Sequence, residues 1–286
     1  MQKFSAVVKY QGGLGNQLFQ WAFAHLVAKT HNVSQDVSWF QSNKDREFEI
    51  RDLVLQCIHL DELLDNKSYF RGIGEERFRG IRKIRETKLI DDRNFLSEDW
   101  KREPKLSVSG YFQSEKSFGK IESEVKPELR KFLETNVNLA LEFNVGNVVA
   151  LHVRRGDYLE ADVKKNIGVL KDEYFMKQLR DETGPYLILT ENEEDVAELT
   201  SRIKELDELF ICDSRNLNSW ETLKVMMACR KFIGSNSSLS WWGAYLRDND
   251  KNESSLPEQW TKGGVYAHPG KESMSKCSYI PSIWKA

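Results

Sequence analysis

The second half of the chain alternates apolar segments of strand length with amphipathic segments, and this alternation restricts the fold more than any other feature. The predicted strands are 147–153, 186–190, 209–212 and 231–234. The predicted helices are 172–180, 194–204, 219–230 and 238–247. Apolar strands separated by helices of about three turns are typical of parallel sheets with right-handed crossovers. The pattern therefore predicts a doubly wound α/β domain.

The first third of the chain begins with a βα unit and then loses its regularity. A strand at 4–10 leads through a glycine turn into a helix from Asn16, whose apolar residues recur at helical spacing. Further along, the pattern predicts a short strand near 36–40, a strand at 107–111 and an amphipathic segment at 118–133. Most of segment 43–105 carries no clear assignment beyond a few helical pieces.

The length of the chain favours two domains. A chain of 286 residues is long for one hydrophobic core and comfortable for two. The polar segment 134–147 is the natural boundary. We therefore expect an N-terminal domain over 1–140 and a C-terminal domain over 141–286.

Composition and charge exclude several classes of protein. The chain is 40% hydrophobic and 30% charged, which is typical of a soluble globular protein. Its formal net charge of −2 gives no support to nucleic-acid binding. The basic residues of segment 71–105 alternate with acidic ones, which predicts a solvated surface of mixed charge.

The sequence predicts a cytoplasmic protein. It contains no visible signal peptide and no apolar run of membrane-spanning length. The four cysteines never fall in a C-x-x-C spacing, which predicts buried free thiols in a reducing compartment: Cys57, Cys212, Cys229 and Cys277. Peripheral association with the inner face of a membrane stays open.

Two arginines follow the apolar strand 147–153 directly. Arg154 and Arg155 precede Gly156, which lets the backbone turn, and the carboxylate of Asp157. Ligands of open α/β sheets bind beyond the carboxyl ends of the strands, and a guanidinium group forks onto phosphate oxygens. The motif predicts an anionic, nucleotide-linked ligand.

A second polar cluster follows the strand at 231–234. Four short polar side chains lie between that strand and the next helix: Ser235, Asn236, Ser237 and Ser238. Helix N–H groups and hydroxyl donors in one turn suit an anion, although the same residues could act only as helix caps. We favour the ligand site because the cluster lies at the same sheet edge as the arginines. Trp241 and Trp242 are predicted to be core residues.

Two further strand ends carry weaker signals. Thr190 and Glu191 follow a strand and could bind a base or ribose, or cap the next helix; we favour the ligand site. The glycine turn at 13–18 lacks the third glycine of a dinucleotide fingerprint and the Gly-Lys-Ser/Thr of a phosphate-binding loop. What remains is a helix N-terminus with Asn16 as the predicted N-cap, or as a ligand contact.

No residue pattern predicts a metal site or a bound cofactor. The five histidines show no H-x-x-x-H pairing. The triplet Asp248-Asn249-Asp250 fits the Asp-x-Asp pattern of metal-dependent sugar transfer, but it lies in a polar loop where short acidic triplets arise by chance. We therefore expect no metal and no cofactor.

Four segments together resemble the bacterial α-1,2-fucosyltransferases of glycosyltransferase family 11. They are 12–20, 110–114, 152–158 and 232–242. The resemblance implies a GT-B fold, in which two Rossmann-like domains face each other across a cleft. It also implies metal-independent, inverting transfer of L-fucose from GDP-β-L-fucose, a co-substrate, to the 2-hydroxyl of a galactose.

The resemblance further implies a role for each motif. Arg154 and Arg155 would hold the diphosphate, with residues 235–238 helping to bind phosphate. Asn16, next to Gly15, would reach across the cleft towards the donor. Many family members carry Ser-Asp-Asp where this chain has Thr190-Glu191-Asn192, so this nucleotide contact departs from the family pattern.

The acceptor hydroxyl must lose a proton, and two residues of the arginine motif are candidate bases. Asp157 is one, and His152, which shares a strand face with Arg154, is the other. In the alternative, Asp157 pairs with an arginine and His152 only supports the site.

Two competing functions stay open. One is fucosyl transfer with another linkage, α-1,6 or protein O-linked, and the other is non-catalytic binding of a nucleotide or glycan. Segment 43–105 is expected to recognise the acceptor, a galactose-terminated glycan that the sequence does not identify further. Whether this glycan is lipid-linked stays open as well.

Overall fold

The computed structural model describes residues 4–56, 87–247, 253–264 and 266–285. The chain divides into two compact units, Met1–Leu129 and Arg130–Ala286. The division falls inside helix Glu122–Asn136, upstream of the expected boundary after residue 140. The predicted boundary rested on the polarity of segment 134–147, which indicates exposure to solvent. The observed division depends instead on which of the two cores each residue contacts.

The first unit is built on a parallel sheet with the strand order β2-β1-β4-β3. The strands are β1 (Phe4–Lys9), β2 (His31–Asp36), β3 (Lys88–Ile90) and β4 (Lys105–Val108). The helices are α1 (Leu14–Ala28), α2 (Trp39–Ser42) and α3 (Arg51–Gln56), and α4 (Glu122–Asn136) crosses the division. Residues 57–86 of the segment expected to recognise the acceptor lie outside the described residues.

The strand predicted near 36–40 is wrong. The chain forms β2 before that segment and the short helix α2 within it. The only aliphatic residue of β2 is Val33, so the strand carries no clear hydrophobic signal. It forms because β1 offers a complete parallel partner, from Phe4 opposite His31 to Lys9 opposite Asp36.

Aromatic side chains pack beneath α1 in the first unit. Phe23 of α1 stacks on Phe112 with 4.4 Å between ring centroids. It also meets Phe95 and Trp100 edge-on, and all four residues are buried. This packing holds the helix against the segment that follows β4.

The second unit confirms the predicted doubly wound α/β domain. Its parallel strands are β5 (Val149–Val153), β6 (Tyr186–Thr190), β7 (Leu209–Cys212), β8 (Lys231–Ile233), β9 (Glu253–Pro257) and β10 (Cys277–Ile280). Its helices are α5 (Ala161–Asn166), α6 (Asp172–Gln178), α7 (Ala197–Lys204), α8 (Ser219–Ala228) and α9 (Ser238–Arg247). The strand order is β7-β6-β5-β8-β9-β10, so the direction of winding reverses between β5 and β8.

Two strands of this sheet have no counterpart among the predicted elements. β9 is rich in serine and ends in a proline, and β10 is a short strand at the edge of the sheet. Neither has the long apolar run of β5 or β6, in which every residue is buried. Ser254 and Ser255 are nevertheless buried, because β8 and β10 pair with β9 on its two sides.

Two of the cysteines that the structure describes are buried free thiols. Cys212 and Cys229 are buried free thiols, Cys277 is partly exposed, and Cys57 lies outside the described residues. Burial raises the pKa of the Cys212 and Cys229 thiols, so both stay protonated. Within the described parts of the chain, no helix has the length and apolar character needed to cross a membrane.

Candidate functional site

The polar motifs of the second unit follow three neighbouring strands. β5 and β8 lie side by side at the point where the strand order reverses, and β6 flanks β5 on its other side. Val153 at the end of β5 pairs with Thr190 at the end of β6. Because ligands of doubly wound sheets bind outside the carboxyl ends of the strands at such a reversal, Arg154 and the serine turn, residues 235–238, occupy the expected position of a ligand site.

Arg154 is the positive centre of this edge. Its Nη1 donates to Glu191 Oε1 and its Nη2 donates to Asp157 Oδ1 at 2.8 Å, while 18% of the side chain stays exposed. Burial acts to lower the pKa of Arg154, but Glu191 and the other acidic groups nearby outweigh it, and the net shift is upward. A charged guanidinium held by partly exposed carboxylates can bind another anion in exchange for one of them.

The neighbouring Arg155 lies in a different environment. Its Nη2 donates to Asp172 Oδ1 and its Nη1 to the carbonyl oxygen of Asp195. The side chains of Arg155 and Asp172 are only 3% and 4% exposed. This arrangement differs from the expectation that both arginines hold one diphosphate, because Arg155 fastens the end of β5 to the start of α6.

Gly156 brings Glu191 close to Arg154. Gly156 has a φ of +33°, and a Cβ at this position would overlap with Glu191 Oε2. A larger residue would therefore be strained and would displace the carboxylate. Asn192, the third residue of the motif after β6, accepts a hydrogen bond from the backbone N–H of Glu194 at 3.2 Å and caps the next helical turn. The motif thus contains one residue that faces Arg154 and one cap.

The serine turn is held from within the second unit. Ser240 Oγ accepts a hydrogen bond from the backbone N–H of Ser235 at 3.1 Å, and Asn236 Nδ2 donates to the carbonyl oxygen of Gly168 at 3.2 Å. Ser235, Asn236 and Ser237 are buried, whereas Ser238 at the start of α9 is partly exposed. The N-terminus of this 10-residue helix carries unsatisfied N–H groups and a positive dipole end. Trp241 and Trp242 are fully buried, as predicted.

His152 lies beneath the site rather than in it. Its side chain is buried, and its Nδ1 lies 2.6 Å from Ser240 Oγ. Burial, together with the charge of Arg154, lowers the pKa of His152 to about 3. The neutral imidazole therefore supports the serine turn through Ser240. Asp157, with 40% of its side chain exposed, is the more accessible of the two candidate bases.

The glycine turn of the first unit joins β1 to α1. The helix begins at Leu14 with Gly13 as its N-cap, so the prediction that Asn16 is the N-cap is wrong. Asn16 Oδ1 instead accepts a hydrogen bond from Gln113 Nε2 at 2.6 Å. Gly12 has a φ of +79°, and a Cβ there would lie 2.5 Å from Asn16 Nδ2. The side-chain amide of Asn16 is thus bonded through its oxygen to Gln113, and its nitrogen lies close to Gly12. Its neighbour Gly15 is buried.

Two buried glutamines of α1 stabilise this turn; they lie in segment 12–20, but the sequence analysis predicted no role for either of them. Gln17 Nε2 donates to the carbonyl oxygens of Gly12 and Glu47, both at 2.8 Å, and its Oε1 accepts from the N–H of Glu49 at 2.9 Å. Gln20 bonds in the same way to backbone groups that follow β1 and β4. Polar residues inside an otherwise apolar helix are the signal that could have identified them, because buried amides need partners.

The expectation of metal-free chemistry stays a prediction. In the ranges that the structure describes, no cluster of three or more His, Cys, Asp or Glu could hold a metal ion. The triplet Asp248-Asn249-Asp250 lies outside those ranges.

One family model and several curated relatives match this chain. The model of glycosyl transferase family 11 matches residues 6–255. The chain is 26% identical to the O-antigen biosynthesis glycosyltransferase WbnK of Escherichia coli, over 88% of this chain and 93% of WbnK. It is 25% identical to an alpha-1,2-colitosyltransferase of Escherichia coli, over 97% of each chain. It is also 25% identical to galactoside alpha-(1,2)-fucosyltransferase 1 of Homo sapiens, over 58% of this chain and 49% of the human protein.

Proposed function

Because the chain belongs to glycosyl transferase family 11, we propose that it transfers L-fucose from GDP-β-L-fucose to the 2-hydroxyl of a terminal galactose, with inversion and without a metal. The observation that carries the proposal is the position of Arg154 beside the serine turn, at the reversal point of a doubly wound sheet. The names of the colitosyltransferase and the human enzyme support the α-1,2 linkage, and the human name supports a galactoside acceptor. The name of WbnK supports an O-antigen glycan.

The proposed donor carries a diphosphate that suits this edge of the sheet. The guanidinium of Arg154 binds phosphate oxygens in a forked geometry. The N-terminus of α9 offers N–H groups and the hydroxyl of Ser238, which is partly exposed. In this proposal the diphosphate replaces at least one carboxylate, Glu191 or Asp157, on Arg154.

The same groups would lower the barrier to transfer. Breaking the bond between fucose and the diphosphate builds positive charge on the sugar ring, while negative charge collects on departing GDP. Donors fixed in place before the reaction stabilise that charge without reorganising, and this is commonly the largest contribution to catalysis. Arg154 and the first amides of α9 would act in this way and would replace a metal ion.

Asp157 is the proposed base for the acceptor hydroxyl. Its side chain is 40% exposed, so an acceptor could reach it once the diphosphate has taken its place on Arg154; in an inverting transfer the hydroxyl attacks from the face of the sugar opposite the leaving group. His152 is buried, and its imidazole is bonded to Ser240, so an acceptor would have poor access to it. A general base must come within hydrogen-bond reach of the proton that it accepts, and Asp157 meets this requirement better.

Transfer of colitose to the same hydroxyl is the second candidate function. It is favoured by the match to the alpha-1,2-colitosyltransferase, which covers 97% of both chains. The two candidates share the nucleotide-binding residues and differ in the sugar that is transferred.

A donor and acceptor panel tests both candidates. The protein is incubated with GDP-fucose or GDP-colitose and several β-galactosides, with and without excess EDTA, and GDP release and product linkage are measured. The proposal expects an α-1,2-fucosyl galactoside at the same rate with EDTA. Faster transfer from GDP-colitose would favour the second candidate. An α-1,6 product, GDP binding without transfer, or activity lost in EDTA and restored by manganese would contradict the corresponding part of the proposal.

A further inference from the structure

We propose that Tyr158 is a positioning residue, which orients the guanidinium of Arg154 and joins it to the serine turn. This inference rests on the proposed function, in which Arg154 binds the diphosphate. Tyr158 lies in the short 3-10 helical turn Gly156–Leu159 that follows β5. It therefore stands between the two strand ends at which the sheet reverses its winding.

The ring of Tyr158 lies against the guanidinium group of Arg154. Arg154 Cζ lies over the ring, 5.3 Å from its centroid, within the distance of about 6 Å at which a cation and an aromatic face attract each other. Glu191 and Asp157 accept hydrogen bonds from the two terminal nitrogens of the same group. The two carboxylates thus hold the terminal nitrogens, and the aromatic ring lies within cation–π distance of the central carbon. An incoming anion can replace a carboxylate, whereas the ring contact is retained.

The hydroxyl of Tyr158 ties this arrangement to the serine turn. Its Oη donates to the carbonyl oxygen of Asn236 at 3.2 Å. That acceptor is itself held in place, because Asn236 Nδ2 donates to the carbonyl oxygens of Ile167 and Gly168. Burial raises the pKa of Tyr158 to about 12, so the hydroxyl keeps its proton and remains a donor. One side chain thus connects the segments that follow β5 and β8.

Tyr174 provides a matched control in the same unit. Its Oη donates to the carbonyl oxygen of Gly234 at 3.1 Å, immediately before the serine turn. Its ring packs edge-on against Phe175, with 5.0 Å between centroids. Tyr174→Phe therefore removes a hydrogen bond of the same type to the same segment and leaves the surroundings of Arg154 intact.

The first experiment compares the variants Tyr158→Phe, Tyr158→Leu and Tyr174→Phe in the full chain. GDP affinity is measured by calorimetry, the KM for GDP-fucose and kcat by GDP release, and thermal stability by the melting temperature. We expect Tyr158→Leu to weaken GDP binding by about threefold to thirtyfold, the range from a partly exposed to a desolvated cation–π contact. Tyr158→Phe keeps the ring but loses the hydrogen bond to Asn236, so its loss should be intermediate. Tyr174→Phe should lower the melting temperature with GDP affinity and KM within about twofold of the wild-type values.

The second experiment is a double-mutant cycle with Arg154→Met, which removes the cation and keeps an unbranched side chain. If Tyr158 acts through the guanidinium, Tyr158→Leu should weaken GDP binding much less in the Arg154→Met background than in the wild-type protein. The effect of Tyr174→Phe on the melting temperature should be the same in both backgrounds, since non-additivity reports coupling between the mutated groups.

Two results would overturn the inference and can be told apart. If wild-type protein binds GDP and Tyr158→Leu binds it equally well, or loses the same affinity in both backgrounds, Tyr158 does not act through Arg154. If the wild-type protein does not bind GDP, the proposed function fails and this inference fails with it.

Discussion

The strand ends of the two units carry polar clusters of opposite kinds. In the first unit the cluster is neutral: Gln17 bonds to backbone groups, and the amides of Asn16 and Gln113 bond to each other. In the second unit the cluster is charged, and Arg154 and Arg155 pair with carboxylates. The backbone partners of the first cluster belong to the fold itself, whereas another anion can replace a carboxylate on Arg154. The first cluster thus stabilises the local fold, and we propose that the second exchanges a carboxylate for the diphosphate of the donor.

The charged cluster itself contains both kinds of behaviour. Arg155 and its partner Asp172 are almost completely buried, whereas Arg154 and its partners are partly exposed. Neighbouring arginines of one motif should therefore respond differently to the same substitution.

The largest expected effect is a loss of stability in Arg155→Ala. Removing one partner of a buried ion pair leaves Asp172 charged and uncompensated, which typically costs about 3–5 kcal/mol. Urea unfolding of the wild-type protein and the variant measures this loss. The double variant Arg155→Ala with Asp172→Asn should recover part of it, because no buried charge remains. A loss below about 1 kcal/mol would mean that the pair does not hold the end of β5.

Arg154→Ala should instead reduce activity. Loss of one donor to the charge that develops on the leaving group typically lowers the rate roughly a hundredfold to a thousandfold. The free energy of unfolding should change by no more than about 1 kcal/mol, because the ion pairs of Arg154 are partly exposed. Arg154→Lys keeps the charge without the forked geometry and should be intermediate. Near-normal transfer of fucose by Arg154→Ala would contradict the proposed role of Arg154 in binding the diphosphate.

Gln17→Met tests whether the neutral cluster holds its shape. The substitution keeps the size of the side chain but removes the three hydrogen bonds to the partly buried backbone groups of Gly12, Glu47 and Glu49. Each lost hydrogen bond typically costs about 1 kcal/mol, so we expect the free energy of unfolding to fall by about 2–3 kcal/mol. Hydrogen exchange near residues 47–50 should accelerate. The exposed Gln41 of α2 supplies the control, and equal effects of Gln41→Met and Gln17→Met would contradict this role.

The depressed pKa of His152 predicts that stability falls in acid. The pKa is about 3 in the folded protein and about 6.5 in an unfolded chain. Between these values the unfolded state binds the additional proton, so the stability present above pH 6.5 decreases as the pH falls. From pH 7.5 to pH 5 the contribution of this residue is a loss of about 2 kcal/mol.

His152→Gln should reduce this pH dependence. Burial also lowers the pKa values of His31 and His268, but these residues are present in both proteins, so their contributions cancel in the comparison. Urea unfolding at the two pH values measures the difference. An unchanged pH dependence in the variant would mean that His152 is protonated in the folded state.

Sequence patterns succeeded where the signal is local and long. β6, β7 and α9 have the predicted bounds, because their apolar runs or helical spacing are uninterrupted. The predicted positions of the arginine motif and the serine turn, after neighbouring strands of one sheet, are confirmed for a related reason. Each follows a recognisable strand, and the ends of parallel strands meet at one edge of the sheet.

Local patterns failed where partners that are distant in sequence decide the outcome. β2 and β9 are polar strands that form because neighbouring strands pair with them. Gln17 is important because segment 47–50 packs against it. Nothing near Arg155 in the sequence indicates Asp172, which follows it by seventeen positions and pairs with it in the fold.

The α/β class and the doubly wound second unit follow from residue order alone, and so does the prediction of an anion-binding edge, because strand and helix periodicity and strand-end motifs depend on short segments of the chain. Only the tertiary structure shows that Arg155 is buried in an ion pair while Arg154 stays partly exposed. Both guanidiniums have the same chemistry, and the choice between them depends on burial and on partners that only folding brings together. Arg155 meets a buried carboxylate, while Arg154 meets exposed carboxylates and the ring of Tyr158.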